Sequence, residues 1–192
     1  MFSSVEKKLA PYELKNFTFD RKVSYKIKSN WKVYLDNFLE GLHIPIVHPS
    51  LNNVLDYRSY DTKLFKNFSI QSGKLDDSKS PYANSSNSYA YYVAIYPNIL
   101  FNLAPGRFQT NMIEPINESE CYVHFEYYFD SVCEEEKLKD ISFSDEIQKE
   151  DILICEKIQR NLVSIGFDRG IISNEYEIGV KHFQTYIKES IS

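Results

Sequence analysis

The chain has 192 residues, of which 43% are hydrophobic and 26% are charged, a composition that suits one globular domain and excludes a disordered chain. Its formal net charge of −5 argues against a nucleic-acid-binding protein, because such a protein needs a basic face to neutralise phosphates. No apolar run reaches the length of a membrane span, and the N-terminus lacks the apolar core of a signal peptide, so we expect a cytoplasmic protein.

The first predicted elements are a strand and a helix. Residues 17–27 alternate between apolar and polar side chains, which predicts a half-buried strand. From about Asn30 to about Leu42 apolar residues recur every three or four positions, which predicts an amphipathic helix. Pro45 disfavours helical geometry at the residue before it, so we expect this helix to end near His43. The apolar residues of the helix are Trp31, Leu35, Phe38 and Leu42.

The middle of the chain has the composition of a β-sheet. Segments rich in Tyr, Phe, Ile and Val alternate with turn signals, and we predict strands near 57–70, 89–96, 98–103, 107–116 and 121–130. The polar stretch 71–88 contains Gly, Pro, Ser and Asn and is predicted to be a long loop. Such a loop is either a simple connector or a flap over a site.

The end of the chain is predicted to return to helix. Residues 142–166 form the first helix, with Ser142 or Ser144 as its N-cap, and residues 175–190 form the second. An antiparallel sheet with helices at both ends makes one α+β domain the simplest fold class. The predicted apolar face of the first helix consists of Ile147, Ile154, Ile158 and Leu162.

The cysteines are odd in number and have neither CxxC nor CxH spacing. We therefore expect reduced thiols, and neither a cysteine-ligated metal nor an iron–sulfur cluster. Cys155 is predicted to be a small buried apolar residue, and the other two are Cys121 and Cys133.

Two of the four histidines, His43 and His48, lie five residues apart. On an unbroken helix they would point about 140° apart and would not share an ion. Pro45 interrupts the helix between them, which would let His48 turn back toward His43. The sequence leaves two interpretations open at this point, a metal site and a helix end with two structural histidines.

Asp151 is the second candidate ligand, because it falls within the apolar face of the predicted helix 142–166. A buried carboxylate requires a hydrogen-bonding partner, an opposite charge or a metal ion. A nearby Lys, Arg or Tyr would satisfy it. Alternatively, two imidazoles and one carboxylate form the facial triad of non-heme Fe(II) oxygenases.

Longer patterns surround these candidates. NWKVYLDNFLEGLHIPIVHPSL, residues 30–51, contains Asn-Trp-Lys, an acid followed by Asn, an acid three residues before the first His, and a second His after four more residues. KEDILICEKIQRNLVSIGFDRGIISNEYEIGVKHFQTYI, residues 149–187, contains a Glu-Asp pair. Both stretches resemble the catalytic domain of Rieske-type non-heme iron oxygenases, the ring-hydroxylating oxygenase α subunits. The resemblance covers nearly the whole chain and looks nearest to the choline and carnitine oxygenase branch.

The resemblance implies a role for each matched residue. His43, His48 and Asp151 would bind Fe(II), and Glu40 would hydrogen-bond His43 and bridge toward the electron donor. Asn37 would lie near the iron, although a helix-surface or capping role fits it equally well. Glu40 at three residues before His43 shares its helix face, but a solvated Glu has the same spacing. Structural roles are expected for Trp31, Lys32, His124 and His182.

Members of this family normally carry an N-terminal Rieske domain, whose CxH and CxxH motifs bind a [2Fe–2S] cluster. The sequence has no CxH motif, and its one CxxH spacing, from Cys121 to His124, has no CxH motif to complete the ligand set. We therefore expect residues 1–192 to be a single catalytic domain, inactive alone, that receives electrons from NAD(P)H through a reductase and a Rieske ferredoxin-like protein. A shortened chain and a protein that has lost the chemistry are the alternatives. The resemblance also implies a homotrimer.

The fold implied by the resemblance is a helix-grip, START-like fold with a curved antiparallel sheet and long helices. The implied reaction is O2-dependent hydroxylation or oxidative demethylation of a small organic substrate. A quaternary ammonium group would suit a pocket with aromatic walls, to which strand 89–96 would contribute through cation–π contacts, and an aromatic substrate would suit it too. The alternatives are a non-catalytic binder of an apolar or aromatic ligand and a partner subunit of a full-length oxygenase.

Overall fold

A computed structural model of the chain describes residues 12–76 and 88–192. Seven antiparallel strands form one sheet in the order β1-β7-β6-β5-β4-β3-β2, so that every neighbour along the chain except β1 and β2 is also a neighbour in the sheet. The predicted α+β class with an antiparallel sheet is confirmed. The strands are β1 Thr18–Ile27, β2 Leu55–Phe65, β3 Phe68–Leu75, β4 Tyr89–Ile95, β5 Ile99–Ala104, β6 Arg107–Asn117 and β7 Glu120–Phe129.

Five α-helices accompany the sheet in the described residues, and three of them pack on its inner face. The main core lies between β5, β6 and β7 and the helices α1, α4 and α5. Burial of these apolar side chains is the main favourable contribution to folding, because each removes a large area from water. The helices are α1 Trp31–Phe38, α2 Ile44–Val47, α3 Pro49–Val54, α4 Glu134–Leu162 and α5 Ile178–Ile191.

Helix α1 begins as the sequence predicts and ends earlier. The Asn30 side chain caps it by accepting from the backbone N–H of Lys32. The helix ends at Phe38, so the prediction that it continues to Leu42 is wrong. Pro45 does not terminate it. Pro45 instead lies in the first turn of α2, where a missing N–H leaves no intrahelical bond unmade.

Close packing fixes the turn that follows α1. A Cβ atom at Gly41 would lie 2.7 Å from Cε1 of Tyr60, and a Cβ atom at Gly179 would lie 2.4 Å from the carbonyl oxygen of Leu39. Any side chain at either glycine would force these neighbours apart. The turn is therefore held between β2 on one side and α5 on the other.

The predicted boundaries of the first hairpin are corrected by the structure. The segment predicted near 57–70 is two strands, because the chain turns at Lys66–Asn67 between β2 and β3. The predicted loop 71–88 is wrong for residues 71–75, which belong to β3. Residues 77–87 of that loop lie outside the described part of the chain.

Helix α4 is longer than the sequence indicates. It begins at Glu134 and is capped by Cys133 together with Glu136, so neither Ser142 nor Ser144 is its N-cap. Three consecutive acidic residues in its first turn favour this start, because they lie at the positive end of the helix dipole. The fully buried positions of α4 are Asp140, Ser144, Gln148 and Cys155, so the buried face is largely polar and is not centred on Ile147 and Ile154. Cys155 is buried, as predicted.

Among the helices of residues 12–76 and 88–192, none combines the length and apolar character needed to cross a membrane.

Candidate metal centre

Glu40 and His43 lie together in the turn between α1 and α2. The Glu40 carboxylate accepts hydrogen bonds from the backbone N–H groups of Leu42 and His43 and from Nδ1 of the His43 ring. A carboxylate only accepts, so Nδ1 of His43 carries a proton, and Nε2 is the ring nitrogen that faces Asp151. The pair is made by a turn and not by the shared helix face that the sequence predicts.

His48 is more deeply buried, with 1% of its surface exposed. Its Nδ1 lies 2.7 Å from Oε2 of Glu150, and its Nε2 lies 3.1 Å from Oδ1 of Asp151. Both acidic residues come from α4, about a hundred positions later in the sequence. A carboxylate thus binds Nδ1 of His48 as it binds Nδ1 of His43. Nε2 of His48 additionally hydrogen-bonds Asp151, so without a metal ion a proton lies between these two candidate ligands.

His43, His48 and Asp151 converge on one point. One ligand atom from each residue lies within 4.8 Å of the other two, and Nε2 of His43 is 3.8 Å from Oδ1 of Asp151. Metals of the first row hold N and O ligands at about 2.1 Å, so adjacent ligands of one ion lie roughly 3 Å apart. The donor set and its spacing fit Fe(II) with small side-chain adjustments.

Carboxylates and an amide surround the three candidate ligands. Asn37 donates from Nδ2 to Oδ1 of Asp151 at 2.6 Å. Burial lowers the pKa of His48, but the carboxylates of Asp151 and Glu150 outweigh burial and raise that pKa above 6.5. Protons and a metal ion would therefore compete for His48.

A cavity of about 110 Å³ adjoins the candidate ligands. One wall is aromatic, and Phe38 packs edge-on against Tyr92, whose ring in turn lies 6.4 Å from that of Tyr60. Of the tyrosines in β4, Tyr92 lines the cavity, because successive residues of a strand point to opposite faces. The aromatic residues that line it are Tyr34, Phe38, Tyr60, Tyr92, Phe125 and Phe143.

The remaining predicted residues lie elsewhere. Trp31 packs on Phe183 of α5, and the ammonium group of Lys32 lies over the Trp31 ring. His124 contacts Ser24 and Glu114 on exposed positions of the sheet, and His182 contacts the hydroxyl of Tyr96. These contacts agree with the structural roles expected for them.

Sequence reasoning did not assign Glu150, Tyr60 or the polar side chains of the cavity. Glu150 was visible only as the residue before Asp151, and nothing local indicates that it meets His48. The polar residues of α4 follow a helical spacing of three and four, from Asp140 through Ser144 and Gln148 to Asp151. This stripe would have been detectable if the helix had been predicted to begin at its true start.

Comparison with known proteins gives a consistent result. The profile of the family described as ring hydroxylating alpha subunit (catalytic domain) matches residues 14–192. Choline monooxygenase of Arabidopsis thaliana is 34% identical over 151 residues, which cover 76% of this chain and 36% of that protein. The carnitine monooxygenase oxygenase subunit of Acinetobacter pittii is 25% identical over 177 residues, covering 84% of this chain and 47% of that subunit. The chain thus spans less than half the length of these curated relatives.

The fold agrees with solved structures of the same kind. A structure of the quaternary ammonium Rieske monooxygenase CntA superposes with a TM-score of 0.83 at 19% identity, covering 96% of this chain and 52% of that chain. Dicamba monooxygenase bound to dicamba superposes with a TM-score of 0.68 at 15% identity, covering 92% of this chain and 60% of that chain. At these identities the likeness establishes the fold alone, including the helix-grip arrangement expected from the sequence.

Proposed function

The chain belongs to the family of ring-hydroxylating α-subunit catalytic domains, and we propose that it binds Fe(II) through His43, His48 and Asp151 to oxidise a small organic substrate with O2. The observation that carries this proposal is the convergence of two Nε2 atoms and one carboxylate oxygen beside a cavity. These three residues would hold Fe(II), which would supply the capacity to react with O2.

The protein's own side chains would prepare the site for the ion. Glu40 and Glu150 accept from Nδ1 of His43 and His48, which orients both rings. A metal ion would displace the proton that lies between Nε2 of His48 and Asp151. Asn37 fixes one oxygen of Asp151. These contacts would orient the three candidate ligands before an ion binds.

We further propose that electrons reach the site from a separate Rieske centre and reductase, with NAD(P)H as their source. Glu40 is the suitable contact point, because it joins His43 directly and lies in a turn beside the partly exposed Leu42. Inter-subunit electron transfer is described for a quaternary ammonium Rieske monooxygenase of similar fold. A trimer in which one subunit serves the next is the corresponding proposal for this chain.

A quaternary ammonium compound is the proposed substrate class. The aromatic side chains that line the cavity would hold a cation through cation–π contacts. The curated relatives act on choline and carnitine according to their names.

Metal analysis after anaerobic loading with Fe(II) tests the proposal. We expect the wild-type chain to retain about one iron per chain, and His43→Ala and Asp151→Ala to retain almost none. His124→Ala is the matched control, because it removes a histidine away from the cavity. If the wild-type chain retains no more iron than the two site variants, the oxygenase proposal is wrong, and ligand binding without iron would favour the binder alternative.

Turnover requires a second experiment. The iron-loaded chain is mixed with a Rieske ferredoxin-like protein, a reductase and NADH, and O2 uptake is followed with and without choline. Substrate-dependent uptake that disappears in Asp151→Ala would support activity in trans.

A further inference from the structure

Beside its aromatic residues, the cavity has a polar wall. Arg107, Gln109 and Asn111 alternate along β6 and all line the cavity, and Asn102 of β5 pairs directly with Gln109. The inner face of an antiparallel sheet is normally apolar, so this row of polar side chains requires partners. The polar stripe of α4 lies against it and supplies several of them.

The guanidinium of Arg107 already has an ionic partner. Its Nε lies 2.9 Å from Oδ2 of Asp140, whose surface is 3% exposed. Its Nη2 donates to Oε1 of Gln109, and Gln109 donates from Nε2 to Oδ1 of Asn111 at 2.5 Å. Ser144 donates to the same Gln109 oxygen at 3.1 Å. The positive charge of the wall is therefore matched by Asp140 and its hydrogen bonds are directed within the wall.

Two polar atoms of the cavity wall remain without a hydrogen-bond partner among the described residues. One is Nε2 of Gln148, a residue that is 2% exposed, and the other is Oδ1 of Asn102. The hydroxyl of Tyr34 donates to Oε1 of Gln148 at 2.8 Å, which fixes the orientation of this amide. The wall thus offers one donor and one acceptor to a ligand, and a hydroxyl group is able to use both.

We propose that the cavity selects an ammonium alcohol and rejects an ammonium carboxylate, and that the Arg107–Asp140 pair is the specificity-determining element. Gln148 would donate to the substrate hydroxyl, and that hydroxyl would donate to Asn102. The aromatic wall would hold the ammonium group. This inference rests on the proposed function, because it concerns the substrate of the same site.

Charge explains why a carboxylate would be rejected. A carboxylate that loses its hydration needs a cation or several charge-assisted hydrogen bonds in return. The cation in the wall is Arg107, and Asp140 already neutralises it. The carboxylates Glu40 and Asp151 also line the cavity, and together they would match the charge of bound Fe(II), which leaves no surplus positive charge there for a substrate carboxylate.

The position of Gln148 also sets the orientation of the substrate. Gln148 precedes Asp151 by three residues on α4, which is about 4.5 Å along the helix axis. A hydroxyl bound to Gln148 therefore lies beside the candidate metal ligands. The ammonium end then extends toward Tyr92, the cross-strand neighbour of Asn102.

Calorimetric titration of the iron-loaded chain with matched ligands tests the proposal. Choline and glycine betaine share the trimethylammonium group and differ in the hydroxyl against the carboxylate, and 3,3-dimethylbutan-1-ol replaces the cationic nitrogen with carbon. We expect choline to bind at least tenfold more tightly than either of the other two compounds.

Variants of the ion pair then separate charge from shape. Asp140→Asn leaves the guanidinium without its carboxylate, and we expect glycine betaine to bind at least tenfold more tightly than it does to wild type. The double variant Arg107→Gln with Asp140→Asn removes both charges and should show no such gain. Asp145→Asn is the matched control, because it removes a carboxylate of α4 that contacts Tyr25 and Lys149 outside the cavity.

Equal affinity of wild type for choline and glycine betaine would overturn the inference, as would a folded Asp140→Asn variant with no gain for glycine betaine. If Asp140→Asn does not fold, the wild-type comparison decides the matter alone. Iron content is measured in the same samples. A chain that holds iron but does not distinguish the ligands refutes this inference only, whereas a chain without iron refutes the proposed function.

Discussion

Each candidate histidine ligand is paired with a carboxylate, and the two pairs form in different ways. One pair lies within the turn at residues 40–48, and the other joins that turn to helix α4. In the turn, Glu40 and His43 are three residues apart, and the carboxylate also accepts from two backbone N–H groups. In the second pair, Glu150 reaches His48 across 102 positions of sequence. A local motif therefore produces one oriented imidazole, whereas the other requires the complete fold. The following predictions test how far this difference matters.

The largest expected effect is on stability, through the two histidines. His48 is buried between Glu150 and Asp151, so His48→Ala leaves two carboxylates without their shared partner and should lower the unfolding free energy of the metal-free chain by about 3 kcal/mol. His43 is more exposed and keeps a locally satisfied Glu40, so His43→Ala should lower it by about 1 kcal/mol. Urea denaturation of both variants, with His124→Ala as the control, measures the difference. Equal losses of unfolding free energy would show that the long-range His48 pair stabilises the fold no more than the local His43 pair does.

Glu40→Gln should weaken Fe(II) binding by up to about 100-fold, because the carboxylate both orients His43 and caps the turn. Competition with a chelator of known affinity measures this change. Glu114→Gln provides the control, since it changes a carboxylate that contacts His124 on the surface of the sheet. An unchanged iron affinity would remove Glu40 from the metal site.

Glu150→Gln should weaken Fe(II) binding by about tenfold, because Glu150 has only the ring of His48 to orient and the buried ring is also held by packing. Glu146→Gln, one turn earlier on the same helix, is the matched control, since that carboxylate accepts from Ser50. If Glu150→Gln lost more Fe(II) affinity than Glu40→Gln, the long-range pair would be the more important of the two for metal binding.

A third carboxylate, Asp36 of α1, is bound by an amide where the other two bind an imidazole. It accepts from Nε2 of Gln184 at 3.1 Å, and its other oxygen is buried without a partner in the described part of the chain. Burial raises the pKa of Asp36 to about 6 from 3.8, so the folded state retains a proton that the unfolded state releases, and stability falls as pH rises from 3.8 through 6. Asp36→Asn should therefore stabilise the chain by about 1 kcal/mol at pH 8, since an unpartnered amide N–H offsets part of the gain.

Thermal denaturation at pH 8 and pH 5 checks this last prediction. The advantage of Asp36→Asn over wild type should shrink at pH 5, where much of the wild-type carboxyl is already protonated. Asp61→Asn on the surface should show neither effect. A stabilisation that does not depend on pH would mean that the charge of Asp36 is not its cause.

Much of the fold was accessible from the sequence, because alternation in the strands and three- and four-residue spacing in the helices arise from local geometry. The errors fall where tertiary contacts decide. Packing of Gly41 against Tyr60 accompanies an early end of α1, and the hairpin turn at Lys66–Asn67 carries no Gly or Pro to mark it. The start of α4 was missed because its buried positions are polar, and buried polar residues have no signature in hydrophobic periodicity.

The residues of the candidate site also fall into those that local sequence predicts and those that only tertiary contacts bring together. Glu40, Asn37 and His43 belong to one short motif, so their proximity was predictable, although a turn and not a helix face brings Glu40 to His43. Glu150 could not be assigned, because its contact with His48 exists only once α4 crosses the turn. The polar wall was not predictable either, because only the strand register and the helix packed over the sheet bring Asn102 and Gln109 into the cavity.

Helix α4 carries the candidate ligand Asp151 and the cavity residues Gln148 and Ser144 on one stripe, with Asp140 behind the wall. Residues 140–151 are encoded by a single short stretch of the gene, so one synthetic oligonucleotide pool is able to vary the substrate-facing positions while the codon for Asp151 stays fixed. Screening such a pool for growth on different methylated amines would select α4 variants with different substrate preferences for use in biocatalysis.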